Sequence, residues 1–338
     1  MPKMRAMIVP RAGAPFELVE RDVPGPGRHE VLIRVQACGV CHSDSVTAAG
    51  LFPGIEYPRV PGHEVIGIIE AIGADVEGWS PGSRAGVGWF PGACGYCSRC
   101  RRGEAFACEN IKGATGVSRD GGYATHMLAD VSAVARIPDS LDSVDSAPLL
   151  CAGVTTFNAI RNAGARAGDL VAVHGIGGLG HLGIQFAARL GYRTVAVNRG
   201  RDKEALARSL GAHEYIDTEA GDPAKALQAM GGARAIIATV TSADAMQAIV
   251  GGLGAGGTMM LIGAAGPISI NPIELLTKSA GVRGWYSGNA ADSEDALQFS
   301  KLHSISSMNE VYPFLDAQAA YDRMMSGKAR FRVVLKME

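Results

Sequence analysis

The chain has 338 residues, which at ~150 residues per domain suggests two domains. A hydrophobic fraction of 47% and a charged fraction of 19% supply a sizeable core and exclude a mainly disordered chain. Lys and Arg number 32 against 33 Asp and Glu, so no electrostatic case exists for gripping nucleic acid or an anionic membrane over a wide face.

Taken in chain order, the N-terminus offers no signal-peptide core, because Pro10 and Arg11 interrupt it. No run approaches the ~18 apolar residues of a membrane span, and a cytoplasmic protein is expected. Up to about residue 150, short β-like runs alternate with Gly and Pro; Val31–Val35 and Val65–Ile69 are two of them. This pattern predicts an irregular all-β body with long loops. Beyond residue 152 the pattern changes. Leu170–His174 reads as a buried strand, followed by a Gly-rich turn, a helix over His181–Leu190 and a strand over Arg193–Val197. Helices near Lys203–Leu210, Pro223–Met230 and Ala243–Val250 then alternate with strands at Tyr215–Ile216, Arg234–Val240 and Thr258–Ile262. Such alternation predicts an α/β region with a doubly wound parallel sheet. The tail, from about Asn289, is expected to hold a helix over Ala317–Met325 and a closing strand over Arg332–Leu335.

The first chemical signal is Gly175-Ile176-Gly177-Gly178-Leu179-Gly180, a G-x-G-x-x-G turn between a predicted strand and a predicted helix. Residues without Cβ let the backbone approach a pyrophosphate, and the helix N-terminus adds free N–H groups and partial positive charge. In that setting a nicotinamide dinucleotide is the expected ligand. An acidic residue about 20 residues past the glycines would select NAD through its ribose 2′-hydroxyl. The second strand ends instead in Asn198-Arg199-Gly200-Arg201. A 2′-phosphate would meet cations there, which favours NADP over NAD, although Asn198 alone could hold a ribose and the arginines could be solvated charges.

The seven cysteines carry the second signal. Cys94, Cys97, Cys100 and Cys108 fall within 15 residues, and four thiolates at this spacing can close a tetrahedron around a structural zinc. An iron–sulfur cluster needs similar ligands, but nothing else in the chain suggests electron relay. Cys41, His63 and Cys151 are candidates for a second, open site of two thiolates and one imidazole. Spacing alone does not join them, since a lone Cys or His is commonly a packing residue. Cys38 reads as core.

At this point the motifs carry a resemblance along essentially the whole chain. The sequence resembles the medium-chain, zinc-dependent alcohol dehydrogenase family. Cys38-Gly39-Val40-Cys41-His42-Ser43-Asp44 is similar to its first ligand segment, and Gly62-His63-Glu64-x2-Gly67-x5-Gly73 to its zinc signature. Cys151-Ala152-Gly153-Val154-Thr155-Thr156 resembles its third ligand segment, and Gly327–Arg332 its C-terminal end.

The resemblance implies a β-rich GroES-like catalytic domain over 1–151, a Rossmann domain over 152–288 and a return to the catalytic domain over 289–338. It further implies two zinc ions per chain, a catalytic one on Cys41, His63 and Cys151 and a structural one on the four-cysteine lobe. Glu64 would sit beside the catalytic metal and ligate it transiently. Asp44 would steady His63, and Ser43 would be the first proton relay. His42 would continue that path or contact a cofactor phosphate, and Arg332 would meet the pyrophosphate. Phe52, Trp89 and Phe90 resemble pocket-lining positions and would favour short or flat apolar substrates, with core packing as the competing description.

The expected activity is hydride transfer between a nicotinamide cofactor and a primary or secondary alcohol, or the matching aldehyde or ketone, in a homo-oligomeric tetramer or dimer. A polyol or sugar dehydrogenase is the nearest alternative. A zinc-free quinone reductase is disfavoured by the complete ligand set, and a redox sensor with structural zinc only by Ser43 and Glu64.

Overall fold

The computed structural model describes residues 2–337. Its chain divides into two compact units, one running to Val154 and resuming at Gly288, the other Thr155–Ser287.

The first unit is built on a seven-stranded sheet. Its central strand, Glu30–Val40, pairs antiparallel with Val65–Ile72, with His126–Asp130 and with the closing strand Arg332–Lys336. Alternate residues of the central strand, Val31, Ile33 and Val35, enter a core shared with Val65, Ile69, Val87, Phe90 and Val333. Register matters for the site. Val334 stands opposite Gly39 and Val333 opposite Val40, which carries the next residue in, Arg332, to the segment that bears Cys41.

The second unit is a six-stranded parallel sheet. Its strands lie in the order Glu214–Asp217, Arg193–Asn198, Leu170–His174, Ala233–Ala238, Leu253–Leu261, Gly281–Gly284. In chain order this is 3-2-1-4-5-6, the doubly wound arrangement that binds dinucleotides where the strand order reverses. The strand Leu170–His174 is buried throughout, as a continuous apolar run in a parallel sheet requires.

Three of the departures from the sequence reading have a plain physical description. The strand expected at Thr258–Ile262 begins earlier, at Leu253, and its pairing with Ala233–Ala238 shifts register between Ala233 and Ala235. A helix over Ala152–Arg161 follows Cys151 directly and was not expected. Nor was the helix Ala290–His303, whose buried positions are Ser293, Ala296, Leu297 and Ser300. Small and polar buried residues leave no apolar stripe for periodicity to reveal. Its start was written in the sequence all the same: Asn289 accepts from the Asp292 backbone N–H, and Asp292 reciprocates, a capping box. No helix among the described residues is long and apolar enough to cross a membrane.

Candidate metal centres and nucleotide turn

Two groups of ligand-type side chains converge in the first unit. In each, the donor atoms lie within 4.8 Å of one another.

The first comprises Cys41, His63, Glu64 and Cys151. Cys41 follows the central strand, and His63 and Glu64 immediately precede the strand Val65–Ile72. Cys151 sits just before the helix Ala152–Arg161. The Cys41 and Cys151 sulfurs are 3.9 Å apart. The hydrogen bond from Cys151, together with His63 and Arg332, holds the Cys41 thiol well below its ordinary range in spite of burial. His63 is 1% exposed. Burial would lower its pKa, but the Asp44 carboxylate and the Cys41 sulfur outweigh that and raise it. His63 Nδ1 lies 3.0 Å from Asp44 Oδ1, while Nε2 is buried without a hydrogen-bond partner. A fully buried imidazole nitrogen left unpaired next to two thiols is the position a metal ion fills. Two sulfurs and one imidazole fit zinc with a fourth position open.

Glu64 is fully buried, with one oxygen paired to Arg332 and Oε2 unpartnered. Burial pushes its carboxyl up to about 7 against the pull of Arg332. The pair needs Gly39, since a Cβ there would stand 1.8 Å from Glu64 Oε2. Asp44 Oδ2 accepts the Cys41 backbone N–H and the Tyr123 hydroxyl, each at 2.8 Å. Nothing in the sequence pattern singled out Tyr123.

The expected satellites of this cluster are placed as follows. His42 is exposed and Ser43 partly so; Ser43 precedes the short helix Asp44–Ala48 without capping it through its side chain. Trp89 stands edge-on to His63, ring centroids 4.8 Å apart at 85°. Phe90, one residue on from Trp89, is 4% exposed and packs in the core of the first unit, the competing description given for it. Phe52 is 42% exposed on a loop. Arg332, expected at the cofactor pyrophosphate, is buried, with its guanidinium donating to Glu64 and to the Val40 carbonyl and its Nε unpartnered.

The second group is Cys94, Cys97, Cys100 and Cys108. Gly95 and Gly103, at φ +78° and +80°, make its tight turns. Its sulfurs accept N–H groups from within the loop. Cys94 and Ile111 donate to Cys108, Cys97 donates to Cys94, and Cys100 donates to Cys97. Asn110 Nδ2 adds one side-chain donor to Cys94 Sγ at 3.2 Å. Burial would raise Cys108, but the backbone N–H groups around it bring it down to about 6. Cys97 is lowered in the same way, whereas burial and the Cys97 sulfur push Cys100 up to about 12; four converging sulfurs in one loop suit a closed zinc site.

In the second unit, the glycine turn assigns each glycine a separate task. Gly175 has φ +99°, and a Cβ there would press on Thr239 Oγ1 and Val240 Cγ1 at 2.8 Å. A Cβ on Gly180 would meet the Gly175 carbonyl at 1.8 Å, so close packing at the start of the helix Gly180–Arg189 demands glycine. A Cβ on Gly177 would meet nothing within 4 Å. That open space over backbone N–H groups is where a pyrophosphate fits, and the intervening Ile176, Gly178 and Leu179 complete the turn. Asn198 Oδ1 accepts the Ile176 N–H at 3.2 Å. Lys203, which the sequence reading passed over, donates Nζ to the Ile176 carbonyl at 2.9 Å. Arg201 is held by Glu204, whereas the Arg199 side chain is 84% exposed and 3.8 Å from Glu219.

Comparison with known proteins agrees with this chemistry. Residues 27–139 match the alcohol dehydrogenase GroES-like domain, and residues 178–301 match the zinc-binding dehydrogenase family. An alcohol dehydrogenase of Aspergillus sp. (strain MF297-2) is 42% identical over 327 residues, 96% of each chain. An alcohol dehydrogenase of Geobacillus stearothermophilus is 36% identical over 338 residues, 99% of this chain and all of that one. Among solved structures, a zinc-binding dehydrogenase from Sinorhizobium meliloti 1021 bound to NADP superposes with a TM-score of 0.89 at 26% identity, covering 99% of this chain and 100% of that one.

Proposed function

The chain belongs to the medium-chain, zinc-type alcohol dehydrogenase family of alcohol–carbonyl oxidoreductases, and from that premise we propose which residues do the work and with which cofactor. Cys41, His63 and Cys151 hold the catalytic zinc, with Glu64 as its alternative ligand. The four-cysteine lobe holds a second, structural ion. The observation that carries the assignment is the buried, unpartnered His63 Nε2 among two sulfurs and a carboxylate.

When bound, the metal supplies a Lewis acid at the substrate oxygen and the nicotinamide supplies or takes the hydride. The chain's own residues do the rest. Asp44 fixes the His63 tautomer with Nδ1 protonated, which leaves Nε2 as the ligand atom. Cys41 is already biased toward thiolate by Cys151 and His63. Trp89 covers one side of His63 and keeps water from it. Ser43 Oγ is not spent on capping a helix, so it can take a proton from the substrate hydroxyl or return one. His42, exposed one residue away, passes that proton on to solvent.

For the cofactor we propose NADP in preference to NAD. The strand itself ends in Asn198 rather than an acidic residue, and the neighbouring Asp217 carboxylate is occupied by the Gly200 N–H at 2.8 Å. Arg201 is engaged by Glu204, so Arg199 is the cation that answers the phosphate. Initial rates of aldehyde reduction with NADPH and NADH, measured side by side on zinc-replete protein, test this. NADPH should be preferred, and Arg199→Asp should move the ratio toward NADH by about 10-fold or more, in line with a charge-assisted hydrogen bond of about 1.5–3 kcal/mol. An unchanged ratio in the variant would sink the cofactor assignment and leave the metal assignment standing.

A further inference from the structure

Taking Cys41, His63 and Cys151 as the metal ligands proposed above, we infer that Tyr123 is a positioning residue for the catalytic metal, its hydroxyl acting through Asp44 on both His63 and Cys41.

Tyr123 is among the largest fully buried side chains of the protein. A phenylalanine would fill the same volume without a polar atom to satisfy, so packing alone does not account for the hydroxyl. That hydroxyl donates to Asp44 Oδ2 at 2.8 Å. The same oxygen accepts the Cys41 N–H at 2.8 Å, and the other oxygen faces His63 Nδ1 at 3.0 Å. Three donors thus grip one buried carboxylate, and two of them belong to residues that carry ligand atoms. With two donors on Oδ2 the carboxylate plane is fixed, and Oδ1 stays on His63 Nδ1. Without the hydroxyl, Oδ2 keeps only the Cys41 amide, which acts as a pivot. The imidazole then loses its fixed aim.

The ring is locked independently of the hydroxyl. Gly121 N, Gly122 N and Tyr123 N donate to Val60 O, Gly62 O and Pro61 O, which stitches this segment to the one that leads into His63. The ring packs closely on Gly62, where a Cβ would come within 2.4 Å of Tyr123 Cδ1 at a φ of +100°. Phe16 meets its edge, centroids 5.9 Å apart at 78°. All of these contacts survive replacement by phenylalanine, so Tyr123→Phe removes the hydroxyl and little else.

The test is zinc release from the full-length, zinc-loaded chain into excess chromogenic chelator, comparing parent, Tyr123→Phe, Asp44→Asn and the double variant. The parent should release two equivalents per chain, and the phase missing from Cys97→Ser identifies the four-cysteine site. Tyr123→Phe should speed the other phase about 10-fold, at the low end of the loss seen when a partner behind a metal ligand is removed. The four-cysteine phase should keep its parent rate. In the Asp44→Asn background the same change should add less than about 2-fold, because the two residues act on one route. Unchanged release from Tyr123→Phe would overturn the inference, as would equal acceleration of both phases or a full 10-fold effect without the Asp44 carboxylate. A single equivalent in the parent would overturn the ligand assignment beneath it, an outcome distinct from the other three.

Discussion

The two candidate metal centres of the first unit bring their donor atoms together by opposite means. The four-cysteine lobe draws every ligand from one short loop, and its sulfurs are supported mostly by backbone N–H groups of that loop. The mixed cluster joins sulfurs 110 residues apart in sequence and is supported by side chains: Asp44, Tyr123, and the Glu64–Arg332 pair. A backbone donor is present whatever the side chain, so the lobe tolerates change around its ligands. A side-chain donor exists only if the fold delivers it, so the mixed cluster depends on residues drawn from five places in the chain. The first arrangement builds a clip and the second builds a site whose open position can be tuned.

The largest way to break this contrast is to remove one ligand from the mixed cluster. Cys41→Ser should lower kcat/KM by about 1,000-fold or more, the range expected when a catalytic metal loses its hold. Dinucleotide binding by the glycine turn, read by fluorescence titration, should stay as in the parent, because that turn is built wholly within the second unit. Persisting turnover with unchanged cofactor binding would end the catalytic-zinc assignment.

The matching change in the lobe should fall on stability instead. Cys97→Ser removes a ligand whose sulfur also accepts the Cys100 N–H. Loss of that metal frees the loop, and an unfolding temperature lower by about 10 °C is expected, equivalent to ~3 kcal/mol or more for a unit of this size. The loop's base is tied separately, by Ala93 N to Ser132 Oγ at 2.8 Å and by Arg119 to the Pro91 carbonyl at 3.1 Å. Trp89 therefore keeps its place against His63, and kcat/KM at 20 °C should hold within about 5-fold, far from the loss expected at Cys41. Equal loss of activity in both variants would erase the distinction between clip and catalyst.

The contrast also explains what could be read from the sequence. The lobe was legible because its geometry is local: spacing and glycines determine it. The glycine turn was legible for the same reason, down to the strand Leu170–His174 that feeds it. In the mixed cluster the convergence of Cys41, His63, Glu64 and Cys151 was foreseeable only through motifs that resemble a known family. Their supporters were not, since Tyr123 meets Asp44 across 79 residues and Arg332 meets Glu64 across 268. Strand register buries Arg332 against the Glu64 carboxylate, a partner its sequence context did not announce. Phe90 and Trp89 are indistinguishable by type, and only the path of the loop after the strand Arg84–Val87 sends one to the core and the other to His63.

The smallest expected effect is the one that sharpens the contrast most. Asn110 supplies the lobe's side-chain donor, Nδ2 to Cys94 Sγ, and it is exposed. It is the lobe's counterpart of Tyr123. An exposed hydrogen bond exchanges readily with water, so its net worth lies at or below about 1 kcal/mol. Four backbone N–H donors to sulfur remain when it is removed. Asn110→Ala should therefore speed zinc release from the lobe by no more than about 3-fold, roughly 0.65 kcal/mol. The same assay expects about 10-fold from the loss of one hydroxyl at Tyr123. Were Asn110→Ala to release zinc as fast as Tyr123→Phe, side chains would matter equally at both centres. Burial, which sets the two donors apart, would then have no bearing on how firmly each metal is held.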